Sequence, residues 1–201
     1  GRASCPAQSL RTYEKHNTHA DLSGSKTSDS KDRRIPVSGD HEKFMALAIQ
    51  EAEDGVKEGH LPYGGVIVKD GEVLGRGKSV GISLKDPTCH AEMMAIREAA
   101  KKMRSGDMRG CVLYANCDPC PMCAGAAIYS GVGTVVIGAG PEALRRCSNG
   151  RYDLGDYTIE RLVGLTGMNV KVIRGVLEER AEAVFKDFGD WDLAAPPAPT
   201  A

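Results

Sequence analysis

Cys89-His90-Ala91-Glu92 and Asp118-Pro119-Cys120-Pro121-Met122-Cys123 are two short stretches that place His90 and Cys120 thirty residues apart. One histidine, two cysteines and a nearby acid form the donor set of a metal site. His90, Cys120 and Cys123 as ligands leave the fourth tetrahedral position of a Zn²⁺ ion for water. Glu92, which such a site does not need as a ligand, is free to move protons. A lone histidine is ordinarily a core or surface residue, and a lone C-x-x-C can be a redox pair. It is their combination that points to a metal.

Spacing then dictates local structure. His90 and Glu92 are two apart, so in the middle of a helix they would face opposite sides. Both serve one centre only from the N-terminal end of a helix, and Pro87 sets that end. The cysteines read as the start of the next helix, with Pro119 in its tolerated first position and the positive end of the dipole stabilising thiolates. A purely structural zinc site would need a fourth Cys or His. Cys89 and Cys117 are the candidates, Cys117 above all.

Working outward, 201 residues with 41% hydrophobic content suffice for one domain with a real core. Lys plus Arg total 26 against 27 for Asp plus Glu, so the net charge of -1 exerts no overall pull on phosphate backbones. No apolar run approaches the ~18 residues of a membrane span. The count of 7 cysteines is odd and shows no framework, which favours a reducing compartment, the cytoplasm. Arg2, Arg11 and Lys15 against Glu14 keep an organelle transit sequence as the alternative. Residues 1–40 hold too little apolar surface to fold and read as a leader; 41–192 form the domain, and 193–201 a Pro- and Ala-rich tail.

Phe44, Leu47, Ala48, Ala52 and Val56 recur at helical spacing, which predicts a helix over 41–58 capped by Asp40 and ended by Gly59. Gly64 to Lys69 and Val73 to Lys78 read as antiparallel strands joined by an Asp70-Gly71 turn. A helix over 89–103 follows, capped by Asp86 or Thr88, then a strand from Cys111 to Ala115 and the helix opened by Asp118-Pro119. Gly133 to Gly138 is a β-branched run suited to a strand covered on both faces. The alternation from 73 to 138 implies a helix-covered sheet with parallel strands. Beyond it the pattern is sparse, with a short helix from Tyr157 to Leu165, a strand from Val170 to Ile173 and a closing helix from Leu177 to Phe188.

The segments PYGGVIVKDGEVLGRG (62–77), DPTCHAEMMAIREA (86–99), CDPCPMCAGAAIYSGVGTVVIGA (117–139) and GMNVKVIRGVLEERAEAVFKDF (167–188) carry a resemblance. From about 41 to 190 the chain resembles the cytosine, guanine and tRNA-adenosine deaminase branch of the cytidine-deaminase-like superfamily. The resemblance implies a three-layer α/β/α fold around a five-stranded mixed sheet, and a homodimer whose partner borders the active site. It implies that His90, Cys120 and Cys123 hold Zn²⁺, that Glu92 shuttles protons, and that the backbone of Ala91 and Cys120 meets the substrate or the reacting water. In these enzymes an Asn that hydrogen-bonds the base stands eleven residues before the ligand histidine. Here that position is Ser79, shorter and without the amide's paired donor and acceptor.

The expected substrate is a free nucleobase or small nucleoside, of cytosine or guanine type. The alternative is a tRNA adenosine, which would call for a basic terminal helix; Lys186-Asp187-Phe188-Gly189-Asp190-Trp191-Asp192 is acidic. A third possibility, a non-catalytic partner subunit, would be expected to lack the carboxylate of Glu92. Trp191 is read either as an aromatic lid on the substrate or as a residue packing the last helix.

Overall fold

The computed structural model describes residues 38–150, 152–189 and 191, so the expected leader up to residue 37 and the expected tail lie outside the described residues. The element order is α1 (Ser38–Lys57), β1 (Leu61–Lys69), β2 (Glu72–Ser79), α2 (Gly81–Leu84), α3 (Ala91–Met103), β3 (Cys111–Cys117), α4 (Pro121–Ser130), β4 (Thr134–Ala139), α5 (Pro141–Cys147), α6 (Ile159–Thr166), β5 (Lys171–Ile173) and α7 (Glu178–Asp187). The five strands form one mixed sheet in the order β2-β1-β3-β4-β5. β1 is antiparallel to both β2 and β3, whereas β3, β4 and β5 are parallel. The parallel strands expected between 73 and 138 are therefore parallel in direction, but β1 lies between β2 and β3. None of the described helices is long and apolar enough to cross a membrane.

Strand alternation builds the three layers. Val66, Val68, Val112, Tyr114 and Val136 point to the face covered by α1 and α7, while Ile67, Leu113, Val135 and Ile137 point to α3 and α4. Every residue of β3 and β4 is buried, as strands covered on both faces require. The Asp70-Gly71 turn takes positive φ at both positions, 50° and 80°, the conformation of a tight hairpin whose twist matches its strands.

Several boundaries move for identifiable reasons. α1 begins at Ser38, so Asp40 lies in its first turn instead of capping it. β1 begins at Leu61, earlier than expected, because a side chain replaces the ladder around Pro62, which has no N–H to offer. Asn116 Oδ1 accepts from the Gly64 N–H at 2.9 Å and its Nδ2 donates to the Pro62 carbonyl at 3.0 Å, bridging the register shift between Leu61 and Gly64. α3 begins at Ala91, after a turn in which Asp86 Oδ1 accepts from the backbone and hydroxyl of Thr88 at 2.8 and 2.7 Å. Asp86 and Thr88 thus satisfy each other and cap no helix. α4 starts at Pro121, so Pro121 and not Pro119 takes the tolerated first position, and Cys120 is its N-cap. The sparse region holds α5 as well as α6.

Glycines decide how closely the helices approach the sheet. A Cβ on Gly75 would collide with the carbonyl oxygen of Ala95, and one on Gly77 with that of Ala91 and, at 2.6 Å, with the Ala95 nitrogen. Gly64 seats α1 in the same way, against the carbonyl of Ala48. α3 therefore lies backbone to backbone on β2. Gly77→Ala is expected to push the start of α3 outward and lower the unfolding free energy by about 1–3 kcal/mol, the usual range for overpacking. Gly106, whose Cβ would meet nothing within 4 Å, is the control, and Gly106→Ala should leave chemical denaturation unchanged.

Candidate metal centre

Two helix starts meet over one point. His90 is the N-cap of α3 and Cys120 the N-cap of α4, both with extended backbone (φ −73°, ψ 160° and φ −62°, ψ 166°) and neither making a side-chain capping bond. Their side chains are therefore free to turn away from their helices toward each other. Cys123, in the first turn of α4, is fully buried. His90 Nδ1 lies 3.5 Å from Cys120 Sγ and 3.6 Å from Cys123 Sγ. Tetrahedral zinc with Zn–S near 2.3 Å and Zn–N near 2.0–2.1 Å sets its nitrogen and sulfur ligands about 3.5–3.6 Å apart. The donor set thus fits a zinc ion held by Nδ1 and two thiolates. Among the described residues these three atoms, all within 4.8 Å of one another, are the group that could hold a metal.

The proposed fourth structural ligands are engaged elsewhere. Cys89 Sγ donates to Asp86 Oδ2 and accepts from Arg97 Nη1, each at 3.2 Å, and Cys117 Sγ points to the Asp118 carbonyl at 3.7 Å.

The electrostatics follow from burial and proximity. The Cys120 thiol is drawn down to about 4, first by its hydrogen bond with Cys123 and then by His90. Cys123 is pushed up by its bond to Cys120 and by burial, and the bond with Cys120 raises His90. Glu92, 5% exposed, is raised to about 7, chiefly by burial and next by the charge of Cys120. Its backbone abuts β1 where a Cβ on Gly65 would lie 3.3 Å from the Glu92 Cα.

Other sequence-assigned residues are placed as follows. Ala91 is the first residue of α3 and is buried. Ser79 is buried at the end of β2, paired with Leu61. Trp191 is 4% exposed, with its ring 5.3 Å from Phe188 and 6.3 Å from Phe185, which in turn lies 5.9 Å from Tyr63.

Spacing arguments missed the aromatic surroundings. Burial, and after it Cys117, raises the phenols of Tyr63 and Tyr152, and both also feel the charges of Glu92 and Cys120. Tyr157 is raised by burial and then by Asp118, and its hydroxyl donates to the Pro119 carbonyl at 3.0 Å, steadying the turn before Cys120. Arg174 extends Nη1 to within 2.7 Å of Asp118 Oδ2 and makes two bonds to Glu160 at 2.6 and 2.7 Å. Tyr152 and Tyr157 border a small cavity of about 20 Å³ with Asp118 and Leu144. The Tyr63 hydroxyl is buried without a partner among the described residues, at a typical cost of about 1–3 kcal/mol. An Asn in the middle of Tyr-Ala-Asn-Cys, a poor strand former, was the one available signal for Asn116.

Residues 38–139 match the family described as the cytidine and deoxycytidylate deaminase zinc-binding region. The tRNA-specific adenosine deaminase of Bacillus subtilis is 35% identical over 150 residues, 73% of this chain and 87% of that one. The guanine deaminase of Bacillus subtilis is 43% identical over 91 residues, covering 45% of this chain and 58% of that one. Several curated relatives are spanned by the chain over 65% of their length or less. A solved structure from a study of A-to-I editing by tRNA:A34 deaminases superposes with a TM-score of 0.61 at 27% identity, covering 71% of this chain and 98% of that one. With the His-Cys-Cys group assembled inside the matched region, the chain belongs to the zinc-binding cytidine and deoxycytidylate deaminase family.

Proposed function

We propose that the protein is a zinc-dependent hydrolase that removes an amino group from a free nucleobase or small nucleoside, of guanine or cytosine type. The observation that carries this is the pairing of the His90-Cys120-Cys123 group, its donor atoms all within 4.8 Å of one another, with a Glu92 only 5% exposed on a chain of net charge -1, a setting for one small ring more than for a phosphate backbone. His90, Cys120 and Cys123 would hold the zinc. The ion supplies Lewis acidity that brings a water into ionising range near neutral pH. Glu92, with a carboxyl raised to about 7, carries one proton of that water to a ring nitrogen and then the second, released as the carbonyl forms, to the departing amino group. Water's oxygen stays on the ring as a carbonyl and ammonia leaves. The N–H groups at the start of α4 face the same place and favour negative charge developing there.

A second reading, deamination of adenosine in tRNA, is favoured by the long alignment to the Bacillus subtilis tRNA-specific enzyme. Such an enzyme would draw affinity from phosphate contacts, whereas this chain carries a net charge of -1 and an acidic stretch after α7. Ammonia release measured across bases, nucleosides and a tRNA stem-loop separates the two. The expected result is turnover of a base or nucleoside that changes little with salt. Turnover of the stem-loop alone, falling steeply with salt, would install the second reading.

The purified protein should contain about one zinc per chain, and His90→Ala and Cys120→Ala should each lose most of it by metal analysis. Glu92→Gln preserves shape and should keep fold and zinc while slowing turnover about 100- to 10,000-fold in steady-state kinetics.

A further inference from the structure

Asp118 and Pro119 link the end of β3 at Cys117 to the N-cap of α4 at Cys120. Two residues span at most about 7 Å, so a displacement of Asp118 is passed on to Cys120. Both residues of the link are held by side chains from outside the matched zinc-binding region, 38–139. Tyr157 donates to the Pro119 carbonyl at 3.0 Å. Arg174 divides its fork: Nε and Nη2 bond the two oxygens of Glu160 at 2.6 and 2.7 Å, and Nη1 stands 2.7 Å from Asp118 Oδ2. Asp118 is 7% exposed, and neither of its oxygens makes a hydrogen bond of good geometry among the described residues. Its contact with Arg174 is therefore an ion pair set by distance, and Arg174 is the cation that offsets this buried charge. Glu160, in the first turn of α6, holds the guanidinium in one orientation through its paired bonds. The α3 half of the metal group is seated by glycines, and the α4 half has this clamp.

We propose that Arg174 is a positioning residue of the metal centre: by holding Asp118 against Glu160 it fixes where the Cys120 sulfur stands relative to His90 and Cys123, and so sets the affinity for zinc. The proposal rests on zinc binding at that group and not on which base is deaminated. Without the guanidinium, Asp118 is an unpaired buried carboxylate that regains water only by turning outward, which draws Pro119 and Cys120 with it. Among the described residues the ion pairs of Arg174 are with Asp118 and Glu160, so its effect on the metal passes through the turn.

The test is zinc affinity by competition with a chelator, with melting temperatures alongside, for the native protein, Arg174→Met, Asp118→Asn and the double variant. Each single variant is expected to bind zinc about 10- to 100-fold more weakly, the usual effect of removing a group that orients a metal ligand. The double variant should be no weaker than the singles, because the two side chains act as one unit. Ile49→Val, a truncation in the fully buried core on the opposite face of the sheet, is the control for stability alone: it should lower the melting temperature and leave zinc affinity unchanged. With cobalt in place of zinc, the thiolate-to-metal absorption band should shift in Arg174→Met and not in Ile49→Val. Arg174→Lys keeps the charge without the fork, so a smaller loss of affinity is expected; where Arg174→Met does not fold, Arg174→Lys carries the comparison. Unchanged affinity in the Arg174 variants overturns the inference, as does an equal loss in Ile49→Val or additive losses in the double variant. A native protein that takes up no zinc overturns the metal reading and this inference together, whereas normal native uptake with unchanged variants overturns this inference alone.

Discussion

The backbone-to-backbone contact of α3 with β2 is the constraint on which the site depends. Only residues without a Cβ at 75 and 77 let the carbonyls of Ala95 and Ala91 come so near the strand. Because Ala91 is the first residue of α3, the same contact sets the height of His90 and Glu92 above the sheet. A Cβ on Gly65 of β1 would also be tight, though less so, at 3.3–3.4 Å from the backbone of Ala91 and Glu92. Side-chain packing of ordinary residues would hold the helix several ångströms further out. The glycines give up packing area and gain position.

Position then governs charge. Two cysteines and a histidine at two helix starts would repel or titrate one another without a shared cation, and the divergent behaviour of Cys120 and Cys123 expresses that competition for one proton. A zinc ion held by His90, Cys120 and Cys123 would allow both sulfurs to be thiolates. Glu92, raised by burial, is kept near neutrality in the range where a proton shuttle works at cellular pH. Burial thus tunes the acid, and the neighbouring helix start tunes the ligand. Both come from the same packing.

The later third of the domain closes the site from residues outside the matched zinc region. Arg174, just after β5, joins Asp118 at the end of β3 to Glu160 of α6, and Tyr157 fixes the Pro119 carbonyl. The turn that presents Cys120 is therefore braced from behind by elements that follow it in the chain by some forty residues or more. Tyr152 reaches over from the loop after α5 to meet Tyr63. A family can in this way keep one zinc group and vary the walls around it.

Local patterns in the sequence were enough for the zinc donors, the hairpin turn at Asp70-Gly71, the buried runs of β3 and β4 and the paired helix starts, because each is written in a few adjacent residues with a definite period or spacing. Element ends were less legible: Pro62 hides a strand whose missing bond comes from Asn116, fifty-four residues away, and Asp86 satisfies Thr88 where a cap was expected. The charged stretch after β4 conceals α5, and the sequence does not show that Trp191 folds back against Phe185 and Phe188. What only the tertiary structure decided was company: that Tyr63 packs between Tyr152 and Phe185, and that Tyr157 and Arg174 brace the turn before Cys120. Sequence determines the chemistry of each side chain and the local path of the backbone, but contacts between distant segments depend on how strands are ordered in the sheet. That order is fixed by packing both faces at once and is written in no single stretch.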